Sequence, residues 1–144
     1  MVRVVTLSLL LSLSSPVFAA DRAKDKGPSA SSEHRVFELR TYHTHEGKLD
    51  ALHKRFREHT CRLFQKHGME LIGFWTPREE KDGRRNTLVY LLAFPSREAA
   101  NASWKAFRED PEWVKAKEAS EKDGKLVDKV ESVFLNPTDY SPIK

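Results

Sequence analysis

From Thr87 to Phe94 the chain runs Thr-Leu-Val-Tyr-Leu-Leu-Ala-Phe, preceded by Asn86 and closed by Pro95-Ser96. A half-buried strand alternates apolar with polar positions. This run does not, so both of its faces should be covered. Its length, the Val89-Tyr90 pair and the Pro95 stop favour a strand over a buried helix. Helices would cover one face. In a chain of 144 residues the other cover is a second copy of the same sheet.

The remaining periodicities fill in the elements around it. Val36 to Tyr42 reads as a first strand, with Phe37, Leu39 and Thr41 on one face and Val36, Glu38, Arg40 and Tyr42 on the other. After the turn His43-Thr44-His45-Glu46-Gly47, residues 48–67 read as a helix with Leu49, Leu52, Phe56, Leu63 and Phe64 along one stripe, stopped by Gly68. His59 falls in that stripe. Met69 to Thr76 reads as a second strand, and Pro77 with the charged hairpin Arg78–Arg85 suits a sheet edge. Ser96 caps a second helix to about Glu109, with Ala99, Ala100, Ser103, Trp104 and Phe107 toward the sheet. Asp110-Pro111-Glu112 starts a third helix, which runs to about Lys122. Leu126 to Leu135 is the last strand, and Pro137 to Pro142 an extended tail.

The order is strand, helix, strand, strand, paired short helices, strand. This is the ferredoxin-like βαββαβ plan of the α+β class: an antiparallel sheet with helices on one face and strands one and three in the middle. Two such sheets meeting face to face make a dimeric α/β barrel.

The first nineteen residues stand apart. Arg3, the apolar run Val4–Leu13 and Val17-Phe18-Ala19 read as a secretory leader cleaved after Ala19, too short to span a membrane. The expected address is therefore export, to periplasm or medium, with no membrane attachment afterwards. Residues 20–34 are polar, small and aperiodic, and read as a disordered linker; the folded domain is 35–144. The formal net charge of +4 is spread along the chain, without the basic, aromatic-interleaved stripe that nucleic-acid binding needs. The single cysteine, Cys61, excludes an internal disulfide and reads as a small apolar group at a helix edge.

Candidate chemistry comes from few residues. Glu38, Arg40 and Tyr42 project together from a strand that should be central. They are read in two ways: as a polar pocket holding an anion or carbonyl through the Arg40 fork, or as a structural ion pair. His59 is a general base or haem ligand if it faces the sheet, and otherwise a packed or rim histidine. Trp75 and Trp104, with Trp113, either wall an apolar ligand cavity or fill the core. His43 and His45 are too few for a metal site, and no motif requires a cofactor.

Taken in order, several pieces resemble the NIPSNAP family of the dimeric α/β-barrel superfamily. They are Glu38-Leu39-Arg40-Thr41-Tyr42, Gly47-Lys48-Leu49, His67-Gly68-Met69, Gly73-Phe74-Trp75, Asn86–Leu91, Trp104–Phe107, Asp110–Trp113 and Pro137–Pro142. The resemblance implies a ferredoxin-like protomer that dimerises through its sheet, in a family with no settled activity. Related superfamily members include small monooxygenases, haem-degrading enzymes and lactone isomerases, which use the pocket between sheet and helices. The expectation is an exported homodimer that holds a small apolar molecule in that pocket. The alternatives are a cofactor-independent or haem-handling monooxygenase or isomerase with His59, Tyr42 and Arg40 in its site, and an assembly module without ligand.

Overall fold

The computed structural model describes residues 35–144; the expected leader at 1–19 and linker at 20–34 lie outside the described residues. Four strands, β1 (Val36–Thr44), β2 (Glu70–Trp75), β3 (Thr87–Phe94) and β4 (Val127–Leu135), form one sheet in the order β2-β3-β1-β4. Every neighbouring pair is antiparallel, so β1 and β3 are central, as the apolar run of β3 requires. The helices are α1 (Leu49–Arg55), α2 (Cys61–Lys66), α3 (Arg97–Glu109) and α4 (Pro111–Ser120). A 3-10 turn, Glu80–Asp82, lies inside the charged hairpin.

The alternation of β3 divides its side chains between the two faces. Leu88, Tyr90, Leu92 and Phe94 face the helices and are buried. Tyr90 anchors an aromatic cluster, with ring centroids 5.2 Å from Tyr42, 5.4 Å from Phe56, 5.5 Å from Phe74 and 6.0 Å from Phe64. Each such pair adds about 0.5–1.5 kcal/mol beyond its buried area. On the other face Val89 and Leu91 are only half-buried within the single chain. Leu91 lies in a cross-strand row with Gly73, Leu39 and Val133, and Val133 is 54% exposed.

The expected single helix over 48–67 is interrupted. Between α1 and α2 the turn Phe56–Thr60 is π-helical, with the Cys61 amide reaching back to the Phe56 carbonyl. The Thr60 hydroxyl donates to the Arg55 carbonyl at 3.3 Å, satisfying an acceptor at the place where the ladder changes register. The helix ends as its sequence dictates. Gly68 takes φ +76°, Met69 N–H reaches the Phe64 carbonyl and Gly68 N–H the Gln65 carbonyl, which together make a Schellman cap.

Caps also fix α3 and α4. Ser96 Oγ accepts from Ala99 N at 3.2 Å, and Asp110 Oδ1 accepts from Glu112 N at 2.8 Å with Pro111 at the first helical position. Asp110 Oδ2 also accepts from Lys66 Nζ and meets His67 Nε2, each at 2.7 Å, tying α4 to the end of α2. Lys66 first, then His67 and the Glu112 amide, hold the Asp110 carboxyl well below the usual carboxylate range. A carboxyl depressed on folding stabilises the fold fully above its unfolded pKa of 3.8. That stabilisation is lost as the pH falls through the folded value. Asp110→Asn should therefore melt below the parent at neutral pH, and the gap should narrow as the pH drops below the unfolded value. Thermal melts across an acid pH series read this directly; a gap independent of pH contradicts it.

Candidate functional site between sheet and helices

The helix-facing side of β1 carries charges where a core would be apolar. Glu38 is buried and satisfied on both oxygens. Arg40 NH1 donates to Oε1 at 2.8 Å, Ser132 Oγ on β4 donates to the same atom, and the Trp104 indole on α3 donates to Oε2. The Arg40 guanidinium then lies 4.2 Å from the centre of the Trp104 ring and 5.6 Å from that of Tyr42. Burial opposes the Arg40 charge, but Tyr42, Tyr90 and Glu38 around it outweigh that and raise its pKa. Burial pushes the Tyr90 hydroxyl well above its ordinary value, so it stays a neutral donor.

A second guanidinium comes from the end of α1. Arg55 is buried and bonds Glu121 Oε1 at 2.9 Å and Ser120 Oγ at 3.2 Å, while its guanidinium sits 5.1 Å from the Trp113 ring centre on α4. Phe107 links the two indoles, 5.8 Å from Trp104 and 4.4 Å from Trp113. Between this wall and the sheet is a cavity of about 450 Å³. Arg40 and Tyr42 line it from β1, Phe56 and Thr60 from the π turn, and Val127 and Val130 from β4. Among the described residues that line it, Arg40 and Arg55 each have a buried Nε without a hydrogen-bond partner. Unpaired buried donors are costly, and two of them on side chains that line one cavity point to an acceptor that enters it.

The structure brings together Glu38, Arg40, Tyr42 and Trp104 and leaves out the other two sequence candidates. His59 does not face the sheet. Its side chain is 41% exposed beside Glu58, whereas Thr60 is 1% exposed and takes the inward place. The π turn, with one extra residue, carries the apolar stripe from Phe56 to Thr60 and turns His59 to the rim. Trp75, 53% exposed at the β2 edge, lies over Gly73, where a methyl group would collide with its ring. It lines a separate hollow of about 430 Å³ with His53, Phe56, Cys61, Phe74 and Leu88. There burial pushes the Cys61 thiol up, which suits a packed apolar group. A wider hollow of about 1000 Å³ beside the charged hairpin is walled mostly by exposed charged side chains such as Glu46, Asp50, Arg84 and Arg85, with no aromatic ring in its wall. His43 and His45 diverge, the first toward Glu131 and the second toward Asp128.

Arg55 and Thr60 escaped the sequence reading. Arg55 stands three residues after Leu52, at helical spacing for the buried stripe, and a cation at such a position was the available signal.

The match to a family model, NIPSNAP, spans residues 37–142. Among curated proteins none matches the sequence. A NIPSNAP family protein of unknown function from Agrobacterium tumefaciens is 24% identical, with a TM-score of 0.66 over 78% of this chain and 96% of that one. An uncharacterised NIPSNAP-like domain protein from Burkholderia xenovorans is 19% identical, with a TM-score of 0.66 over 76% and 90%. More distant is SnoaB, a cofactor-independent oxygenase from Streptomyces nogalater, at 13% identity and a TM-score of 0.50 over 76% and 98%. These likenesses are of fold, the ferredoxin-like α+β sheet with helices, and assign no reaction.

Proposed function

This chain belongs to the NIPSNAP family, and from that premise we propose that it binds a small, largely apolar molecule between its sheet and its helices, as a homodimer. The observation that carries the binding reading is the cavity of about 450 Å³, walled by Phe56, Trp104, Phe107 and Trp113 and furnished with unpaired donors. Its size lies in the range of small-molecule sites, roughly 300–1000 Å³, and its aromatic wall is bordered by charged side chains. The dimer reading is supported by the apolar row Leu39, Leu91 and Val133 on the sheet face away from the helices. A second sheet laid on that row would leave the cavity open from the helix side.

The test is calorimetric titration with 1-naphthol, a neutral aromatic probe. Binding in the micromolar to millimolar range is the expected result. Val130, partly exposed on β4 at the cavity wall, is the place to plug it. Val130→Trp should weaken 1-naphthol by about tenfold or more, the loss expected when an apolar subsite is filled. Equal binding to both chains places the probe elsewhere and contradicts the reading. Residues 1–19 support export of the mature chain, and N-terminal sequencing of protein from its host should begin at Ala20; an intact Met1 terminus contradicts that.

A further inference from the structure

We infer that the molecule held in this cavity is a flat, conjugated carboxylate, its acid group on Arg40 and its ring against the Trp104–Phe107–Trp113 wall. The inference narrows the binding reading above to a ligand class, and rests on it.

Charge is the first reason. Arg40, Arg55, Arg108, Lys117 and Lys125 line the cavity, against Glu121 and Asp128. The excess is cationic at a place where Glu38 is already fully engaged with its three donors. Arg108, Lys117 and Lys125 stand exposed at the rim, while Arg40 and Arg55 are withdrawn from water and Arg55 is already paired with Glu121, so an anion that enters meets Arg40.

Geometry is the second. Arg40 meets Glu38 through NH1 only, and its Nε is buried without a partner among the described residues. A guanidinium binds a carboxylate best through two parallel N–H donors, and the unused Nε leaves such an edge free. Arg40 is also the more open of the two arginines, with its side chain 17% exposed against 4% for Arg55. Arg55, at the far end of the wall on Trp113, has its own free Nε for a carbonyl or hydroxyl substituent.

Shape is the third. Each guanidinium lies on an indole face, and Phe107 bridges the two indoles. A flat ring system stacks along such a wall; a branched aliphatic chain does not exploit it.

The experiment compares 1-naphthoate with its neutral counterpart 1-naphthamide, by calorimetry at neutral pH, on the parent chain and on Arg40→Lys. Lysine keeps the charge opposite Glu38 and removes the planar fork. The parent should bind naphthoate at least about tenfold tighter than naphthamide, the size of a charge-assisted hydrogen bond. Arg40→Lys should lose most of that ratio while naphthamide binding stays within about twofold. Equal affinities in the parent, or a substitution that weakens both probes alike, overturn the carboxylate inference and leave the apolar-ligand reading intact. If neither probe nor 1-naphthol binds, it is the binding reading that fails, and the inference with it. Should Arg40→Lys not fold, the parent's ratio alone decides.

Discussion

Replacing Glu38 by alanine is expected to destabilise the folded chain by about 3–5 kcal/mol, the cost of leaving a buried charge without its counter-charge. Three donors converge on this carboxylate from β1, α3 and β4: Arg40, Trp104 and Ser132. Remove it and Arg40, mostly buried, faces only aromatic rings, while the Trp104 indole loses its acceptor. The loss is electrostatic and not one of volume, so two further variants separate the causes. Glu38→Gln keeps an acceptor for the indole and should cost less than alanine. The double variant Glu38→Leu with Arg40→Met removes both charges and should recover much of the alanine deficit, because an apolar pair of similar volume often replaces a buried ion pair at little cost. Denaturant unfolding of the set measures all of these. A double variant no more stable than Glu38→Ala contradicts the argument.

The other large effect is expected on the opposite face of the sheet. Leu91 sits mid-strand in β3, paired with Leu39 on one side and Gly73 on the other, on the sheet face away from the described helices and half-buried there. If a second molecule lies there, Leu91→Asp places a carboxylate at the centre of both halves of a two-fold contact. Such a group has no partner and costs several kcal/mol, so dimer affinity should fall by more than about a hundredfold. Light scattering at micromolar concentration should show dimer for the parent and monomer for Leu91→Asp, with unchanged far-ultraviolet circular dichroism. A parent chain that is monomeric under those conditions removes the dimer from the account.

The sequence revealed most of this fold because the determining signals were local and mutually consistent. The unalternating Thr87–Phe94 run placed β3 mid-sheet, and that position in turn placed β1 beside it and pointed Glu38, Arg40 and Tyr42 inward. Ser96 and Asp110-Pro111 marked two helix starts that their caps confirm. His59 shows where such reasoning stops. At a regular 3.6-residue period, positions 59 and 60 flank the stripe from Phe56 to Leu63 about equally, and the choice between them rests on a π turn that no propensity signals. Arg55 was passed over for a related reason. Its burial depends on Glu121 and Trp113, more than fifty residues away in the chain, and long-range partners leave no local pattern. Trp75 reads as a core or cavity residue by type, yet its strand lies at the sheet edge, so it stands largely in solvent.

The central claim, that a ligand enters between the helices and the sheet, is tested most directly by the indole N–H resonances of the three tryptophans. Two of them, Trp104 and Trp113, wall the cavity, while Trp75 lies at the β2 edge beside a different hollow. In a nitrogen–proton correlation spectrum of labelled protein titrated with 1-naphthoate, the account predicts that the Trp104 and Trp113 signals move together and saturate while the Trp75 signal stays in place. Movement of Trp75 with the other two unchanged, or no movement of any of them, would contradict it.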